Sequence, residues 1–287
     1  MSIEAKPRGF LIPIGGGEDR GEEKEPRLPF EKKGVLKHVL DQARGAKSRV
    51  VLVTSASSIP NEVAAAYKFG FKRLGCDQMI HYHITEKSEC NENDLLSDFA
   101  AADVVMFSGG NQAKLPKRIR KTRLHELLKE RYWNEPFVIA GTSAGAMAMS
   151  EFMVAGGSAS EAFYKGAVQM KTGLGFIPEL IIDTHFVRRG RFGRLAEAVA
   201  INPTCIGIGL AEDTGVIIEG GDHFKVIGSG MAIVMDPRSV THNNHQLLKE
   251  GTLMSMTNLT THLLANGDKF RLADHSVEVL PMGQSFI

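Results

Sequence analysis

Over its first two thirds the chain alternates short apolar runs with amphipathic stretches, and this alternation limits the available folds more than any other feature. Phe10–Ile14, Val50–Val53, Val104–Phe107 and Phe137–Ala140 are apolar throughout, and each runs directly into Gly, Ser or Thr. Runs of this length without polar interruption read as strands buried on both faces. Between them lie segments of helical character, Gly34–Ala43, Asn61–Phe69 and Pro116–Arg131. Alternating β and α units predict an α/β fold, a mainly parallel doubly wound sheet with helices on both faces. The last third changes character. Cys205–Leu210, Gly215–Ile218, Phe224–Ile227 and Met231–Val234 are closely spaced strand candidates separated by Gly and Asp turns. A polar stretch after Asp236 and weaker strand candidates near Lys269–Leu272 and Ser276–Leu280 follow, which predicts a C-terminal antiparallel extension. Neither a repeat nor a linker divides the 287 residues, so one domain is expected, with a core over 8–235 and a strand-rich extension over 236–287.

Composition removes several classes of function. The 34 Lys+Arg and 33 Asp+Glu leave a formal charge of +1, whereas chains held on phosphate backbones or anionic lipid carry a clear basic excess. No nucleic-acid or membrane partner is expected. No apolar run approaches the roughly 18 residues of a membrane span, and the N-terminal residues lack a signal-peptide pattern. Cys76, Cys90 and Cys205 are scattered without CxxC spacing. Neither a disulfide framework nor a thiolate zinc site is expected, and a reducing cytoplasm fits. His81 and His83 form an HxH on an expected strand with no evident third ligand, so no metal is expected. Glu18–Lys33, with six acidic and five basic residues, reads as a mobile surface loop.

In an open parallel sheet, ligands bind beyond the carboxyl ends of the strands. Four loops fall there: Gly15–Asp19, Ser108–Gln112, Gly141–Gly145 and Asp183–Phe186. The third carries the chemistry. Phe137–Met149 reads as a strand, a sharp turn and a small-residue helix, and GxSxG in that setting is a nucleophile elbow exposing the hydroxyl of Ser143. The helix would offer its positive end to a developing oxyanion. The bare motif is weak, since a glycine-rich chain of this length holds one by chance in roughly one case in six. An ordinary Gly-rich turn is the alternative. A serine nucleophile needs a base and an orienting acid. His185 follows the apolar run Leu180–Ile182, and Glu212 stands just past Cys205–Leu210, both at expected strand ends. A solvated turn carboxylate is the alternative for Glu212. Arg188, Arg189, Arg191 and Arg194 cluster after the candidate base. They read either as a solvated helix face or as cations converging on a carboxylate-bearing substrate, such as an aspartyl residue.

These pieces together resemble the cyanophycinases, of the serine-peptidase family that also holds the α-aspartyl dipeptidases (peptidase E). The likeness rests on a strand into Gly-Gly-Gly-Glu-Asp, then Phe-Ser-Gly-Gly-Asn-Gln, Gly-Thr-Ser-Ala-Gly-Ala, Asp-Thr-His-Phe followed by R-x-R-x-x-R, and Gly-Leu-Ala-Glu-Asp-Thr. The spacings also agree: 31 positions from Gln112 to Ser143, 42 to His185 and 27 to Glu212. The likeness covers about residues 8–235 and implies a flavodoxin-like fold, akin to that of the class I glutamine amidotransferases. It implies a triad of Ser143, His185 and Glu212, and an oxyanion hole of the Gly110 and Ala144 N–H groups. Gln112, Asp183, Thr184, Arg189, Arg191 and Arg194 would line the substrate. It further implies a homodimer, no cofactor, and a poly-aspartate substrate bearing arginine on each β-carboxyl, cut to β-Asp-Arg. Cyanophycinases usually carry Gln where this chain has Thr184, which keeps a different aspartyl peptide open as substrate. A silent acidic-peptide-binding protein is a further alternative. An amidotransferase is disfavoured by Ser143 standing where Cys is needed, and phosphate capture by Gly15–Gly17 is disfavoured because GxGxxG fails at Arg20.

Overall fold

The computed structural model describes residues 6–157 and 161–287. The four expected apolar runs form strands, joined by one more: β1 (Phe10–Ile14), β2 (Val50–Val53), β3 (Met79–Tyr82), β4 (Val104–Phe107) and β5 (Val138–Thr142). They lie side by side as β1-β5-β4-β2-β3, every neighbour parallel. Their unbroken apolar character follows from burial on both faces. Val51, Val53, Val105, Phe107 and Ile139 face one core, and Val50, Leu52, Val104, Met106 and Val138 face the other. Each such side chain contributes about 1.5–3 kcal/mol on burial. Helices Val35–Asp41 and Pro60–Arg73 cover the second face with Leu36, Val39, Tyr67 and Phe71. Asn93–Ala101 and Arg123–Asn134 cover the first with Leu95, Phe99, Leu124 and Leu128. The fold is the expected doubly wound α/β class.

The expected helix Pro116–Arg131 is two helices, Lys114–Ile119 and Arg123–Asn134. Lys121 breaks the chain direction at φ 60, and Thr122 caps the second helix by accepting the N–H of His125 at 3.2 Å.

Beyond β5 the chain holds more than an edge extension. β6 (Phe152–Gly157) and β7 (Val168–Thr172) form a hairpin that the sequence reading lacked. β8 (Leu180–Asp183), β9 (Ile206–Leu210), β10 (Thr214–Glu219), β11 (His223–Gly228) and β12 (Ala232–Asp236) follow. Of these, β10 and β11 join the first sheet beside β1, both antiparallel. β8, β9 and β12 form a second sheet, with Thr260–Leu264 at its edge. The chain therefore changes sheet between β9 and β10 and again between β11 and β12. The strands Lys269–Arg271 and Val277–Glu278 extend the first sheet past β11.

The segment Glu18–Lys33 differs from the expected surface loop at both ends. Glu18, Asp19 and Phe30 are buried, while Glu22–Glu25, Arg27, Pro29, Glu31 and Lys32 are exposed. Its charges did not reveal that its first two carboxylates have hydrogen-bond partners inside the protein.

Helix Phe192–Ile201 is fastened to the end of β8 by a buried ion pair. Arg194 donates through Nε to Asp183 Oδ2 at 2.8 Å and through Nη2 to Oδ1, and Arg191 Nη1 lies 3.2 Å from Oδ1. The Asp183 side chain has no exposed surface. Removing one partner of a buried pair leaves an uncompensated charge and costs about 3–5 kcal/mol. Arg194→Met is accordingly expected to lower unfolding stability by about 3 kcal/mol in urea titration; a loss under about 1 kcal/mol would show that Arg191 alone compensates Asp183.

Candidate active site

Ser143, His185 and Glu212 arrive from different parts of the two sheets. Ser143 follows β5, His185 follows β8, and Glu212 stands in the crossing from β9 to β10. Three consecutive carbonyls at the end of β1 gather them. Ile14 O accepts the N–H of Ser143 at 2.9 Å, Gly15 O that of His185 at 2.8 Å, and Gly16 O that of Asp213 at 2.9 Å. The three donors have left-handed φ values of 51, 48 and 48. That conformation costs a non-glycine residue on the order of 1–3 kcal/mol. A hydrogen bond returns only about 1 kcal/mol, so surrounding packing must hold the rest of the strain.

The sharp turns bring the three side chains into line. Ser143 Oγ lies 3.1 Å from His185 Nε2, and His185 Nδ1 lies 2.7 Å from Glu212 Oε1. An ionised carboxylate can only accept, which assigns the proton to Nδ1 and leaves Nε2 to accept from the serine hydroxyl. Glu212 also accepts from Arg188 Nη1, at 3.0 and 3.2 Å. Partial burial pushes its carboxyl up, but the hydrogen bonds from His185 and Arg188 and the charge of Arg188 outweigh this and hold it below the usual carboxylate range. Such an arrangement can pass a proton from a hydroxyl to an imidazole while the carboxylate fixes the tautomer.

The glycines of the GxSxG turn answer to close approach. A Cβ on Gly145 would stand 2.2 Å from Phe107 O, and one on Gly141 would stand 2.7 Å from the carbonyl carbon of Gly145. The helix expected after the turn is a single turn, Ala144–Met147, so little macrodipole accumulates and the local N–H groups matter more. Gly109 is close enough that its Cβ would lie 3.4 Å from that of Ser143. Gly110 follows with φ 138. Among the described residues, neither the Gly110 nor the Ala144 N–H has a backbone acceptor.

The loop after β1 supplies groups that sequence reasoning missed. Gly16 walls the imidazole: a Cβ there would stand 2.5 Å from His185 Cε1, at φ 93. Glu18 braces the residue before the serine, accepting from Thr142 Oγ1 at 2.6 Å and from the Tyr67 hydroxyl. Burial and Glu18 push the Tyr67 phenol well above its ordinary range, so it remains a donor. The available signal is a Gly-Gly-Gly-Glu-Asp run directly after a strand, which places the loop at the ligand end of the sheet without assigning roles to Gly16 or Glu18.

The residues expected to line the substrate separate by exposure. Asp183 and Arg194 are buried in their ion pair. Thr184 is buried, with its hydroxyl donating to Met147 Sδ at 3.3 Å. Arg191 is half-buried and donates to Thr184 O at 2.7 Å; burial pulls its guanidinium down to about 10 against the pull of Asp183. Gln112 donates its amide to Ala155 O at 2.8 Å and Val154 O at 3.2 Å, tying its loop to β6. Arg189 is exposed. The buried Asp183 takes Arg194 and Arg191 as its own partners, which leaves Arg189 as the exposed guanidinium of the six. His81 Nε2 and His83 Nδ1 both meet Thr54 Oγ1, at 2.7 and 3.1 Å, and no group of three metal-ligating side chains occurs among the described residues. Among those residues, too, no helix is long and apolar enough to cross a membrane.

The sequence profile of peptidase family S51 matches residues 14–226. The chain is 33% identical over 267 residues to the cyanophycinase of Trichormus variabilis, covering 93% of this chain and 87% of that one. It is 29% identical over 268 residues to the cyanophycinase of Geminocystis herdmanii, covering 93% and 95%. In fold it is similar to a peptidase from an acI-B1 actinobacterium, with a TM-score of 0.63 at 18% identity over 91% of this chain and 99% of that one. It is also similar to a putative peptidase E protein of Listeria monocytogenes, with a TM-score of 0.52 at 14% identity over 77% and 99%. With a family profile spanning most of the chain and relatives aligned along nearly all of it, the protein belongs to peptidase family S51 and is a serine-type peptidase of the cyanophycinase and peptidase E type.

Proposed function

We propose that this peptidase is an exopeptidase of cyanophycin, the poly-aspartate bearing arginine on each β-carboxyl, and releases β-Asp-Arg through an acyl-enzyme on Ser143. The observation that carries this reading is the hydrogen-bonded line from Ser143 Oγ through His185 to Glu212. The curated relatives, named cyanophycinases, supply the substrate class. In our reading His185 Nε2 takes the hydroxyl proton as Oγ attacks the amide carbonyl carbon. The oxyanion accepts from the N–H groups of Gly110 and Ala144, each worth about 3 kcal/mol in such a site. Imidazolium, held by Glu212, protonates the leaving amine. Water then gives its proton to Nε2, attacks the ester, and its collapse returns the proton to Ser143. Arg189, exposed four residues after His185, is the group available to a substrate carboxylate. Asp183, Arg191 and Arg194 shape the floor below it, and Gln112 positions the Gly109–Gly110 loop. A homodimer, a single domain, no cofactor and a cytoplasmic site of action belong to the same reading.

Thr184 supports a second reading. Its hydroxyl turns inward, so the position where cyanophycinases usually carry Gln offers no amide to the substrate, and an aspartyl dipeptidase acting on another peptide is favoured by that one residue. Incubation with cyanophycin and mass analysis of the soluble products decides between them. Wild type is expected to release β-Asp-Arg and Ser143→Ala none; no release from cyanophycin alongside cleavage of α-Asp or β-Asp dipeptides would establish the second reading.

Because Glu212 is held below the ordinary carboxylate range, it stays ionised through mild acidification and its partnership with His185 persists there. Protonation of Glu212 is then expected to cost activity only below the ordinary carboxylate range, as read from the acid limb of a kcat/KM profile. Gly16→Ala forces a Cβ against the imidazole and is expected to lower kcat about 100-fold, on the scale of a 1 Å misplacement, with the circular dichroism spectrum preserved. Near-normal kcat would mean that Gly16 does not set the ring position.

A further inference from the structure

On the side of Glu212 away from Ser143 the surface folds into a cleft of about 460 Å³, a volume suited to a small ligand. Three segments meet there: the charged loop through Glu23 and Arg27, the turn after β8 through Val187 and Arg188, and the β11–β12 link through Ser229 and Met231. The chemistry of its walls is mixed. Among the described residues, the Glu23 carboxylate and the Arg27 guanidinium have no hydrogen-bond partner. Arg188 binds Glu212 through Nη1 only, which leaves Nη2 and Nε of an exposed guanidinium for a further acceptor. Val187 and Met231 are exposed apolar surface between these charges, able to receive the methylene stem of a long cationic side chain. Desolvation and the carboxyls of Asp19 and Asp213 push the Glu23 carboxyl up against the pull of the nearby Arg27 charge, a bias that an entering cation would reverse. Exposed charges of both signs gathered in a concave surface can be met together by a ligand that carries both opposites.

The cleft is also at the right distance. Two hydrogen bonds and an imidazole separate Ser143 Oγ from the Glu212 carboxylate, at most about 8 Å, and two extended residues span roughly 7 Å. A polymer whose scissile carbonyl sits at Ser143 reaches the cleft with a unit close to the cut.

Resting on the cyanophycin reading above, we propose that the cleft bounded by Glu23, Arg27, Arg188 and Met231 is a second subsite. It takes a neighbouring unit of the polymer, its guanidinium on Glu23 and a carboxylate on Arg27 and the free edge of Arg188. Binding there is remote from the reacting bond, so it lowers KM for long substrates without altering the chemical step.

The test compares wild type with Glu23→Gln and Arg27→Gln on two soluble β-arginyl-aspartate oligomers, one of two units and one of several. Both positions are on the exposed loop, and equal melting temperatures check that folding is unchanged. Each variant is expected to raise KM on the longer oligomer about three- to tenfold, with kcat within about twofold and no change on the two-unit substrate. Equal effects on both lengths, or none on either, would overturn the subsite while leaving the peptidase reading intact. If wild type cleaves neither oligomer but does cleave simple aspartyl dipeptides, the cyanophycin reading fails and the subsite fails with it.

Discussion

Three backbone hydrogen bonds onto Ile14, Gly15 and Gly16 decide where everything reactive stands. β1 is the strand that makes this possible. It is paired to β5 on one side and to β10 on the other, so its carboxyl end lies between the turn carrying Ser143 and the crossing carrying Glu212. The second sheet meets the same point through His185. None of the three bonds is strong alone, at about 1 kcal/mol. Their effect comes from adjacency: the three acceptors are consecutive residues leaving a strand paired on both sides, and each donor is held in a left-handed turn it would not choose.

The charges divide in the same way between those that build and those that face outward. Asp183 is desolvated and is held by Arg194 and Arg191, an arrangement whose value is positional, since ion pairs taken out of water gain little net stability. Glu18 is equally enclosed and acts on Thr142, beside the serine. Glu212 is different. It remains partly open, meets an exposed arginine on its outer side and the imidazole on its inner side, and so joins the reactive line to the charged surface around the cleft.

Much of the scaffold was legible because β1, β2, β4 and β5 are buried on both faces and therefore lack the polar interruptions that blur most strands. The loops at their ends could be identified for the same reason, and Ser143, His185 and Glu212 were read from strand-end positions that the structure brings within hydrogen-bonding distance. The errors have local causes. A left-handed residue at Lys121 divides a continuous helical pattern. The run Glu18–Lys33 looks solvated because net composition does not show which carboxylates find partners. An arginine-rich stretch gives no sign of which guanidinium is buried, so Arg194 and Arg189 look alike in sequence and differ entirely in place.

By itself, the sequence determined the α/β class, the alternation of β and α units along the chain and the residue types gathered at the strand ends, because apolar period and turn chemistry are local properties of the chain. Tertiary structure alone decided that β8, β9 and β12 form a second sheet, that Gly16 presses on the imidazole, and that Asp183 takes Arg194 for itself. Those outcomes depend on which segments become neighbours, and hydrogen bonds between residues 11 to 124 positions apart leave no trace in the local pattern of either segment.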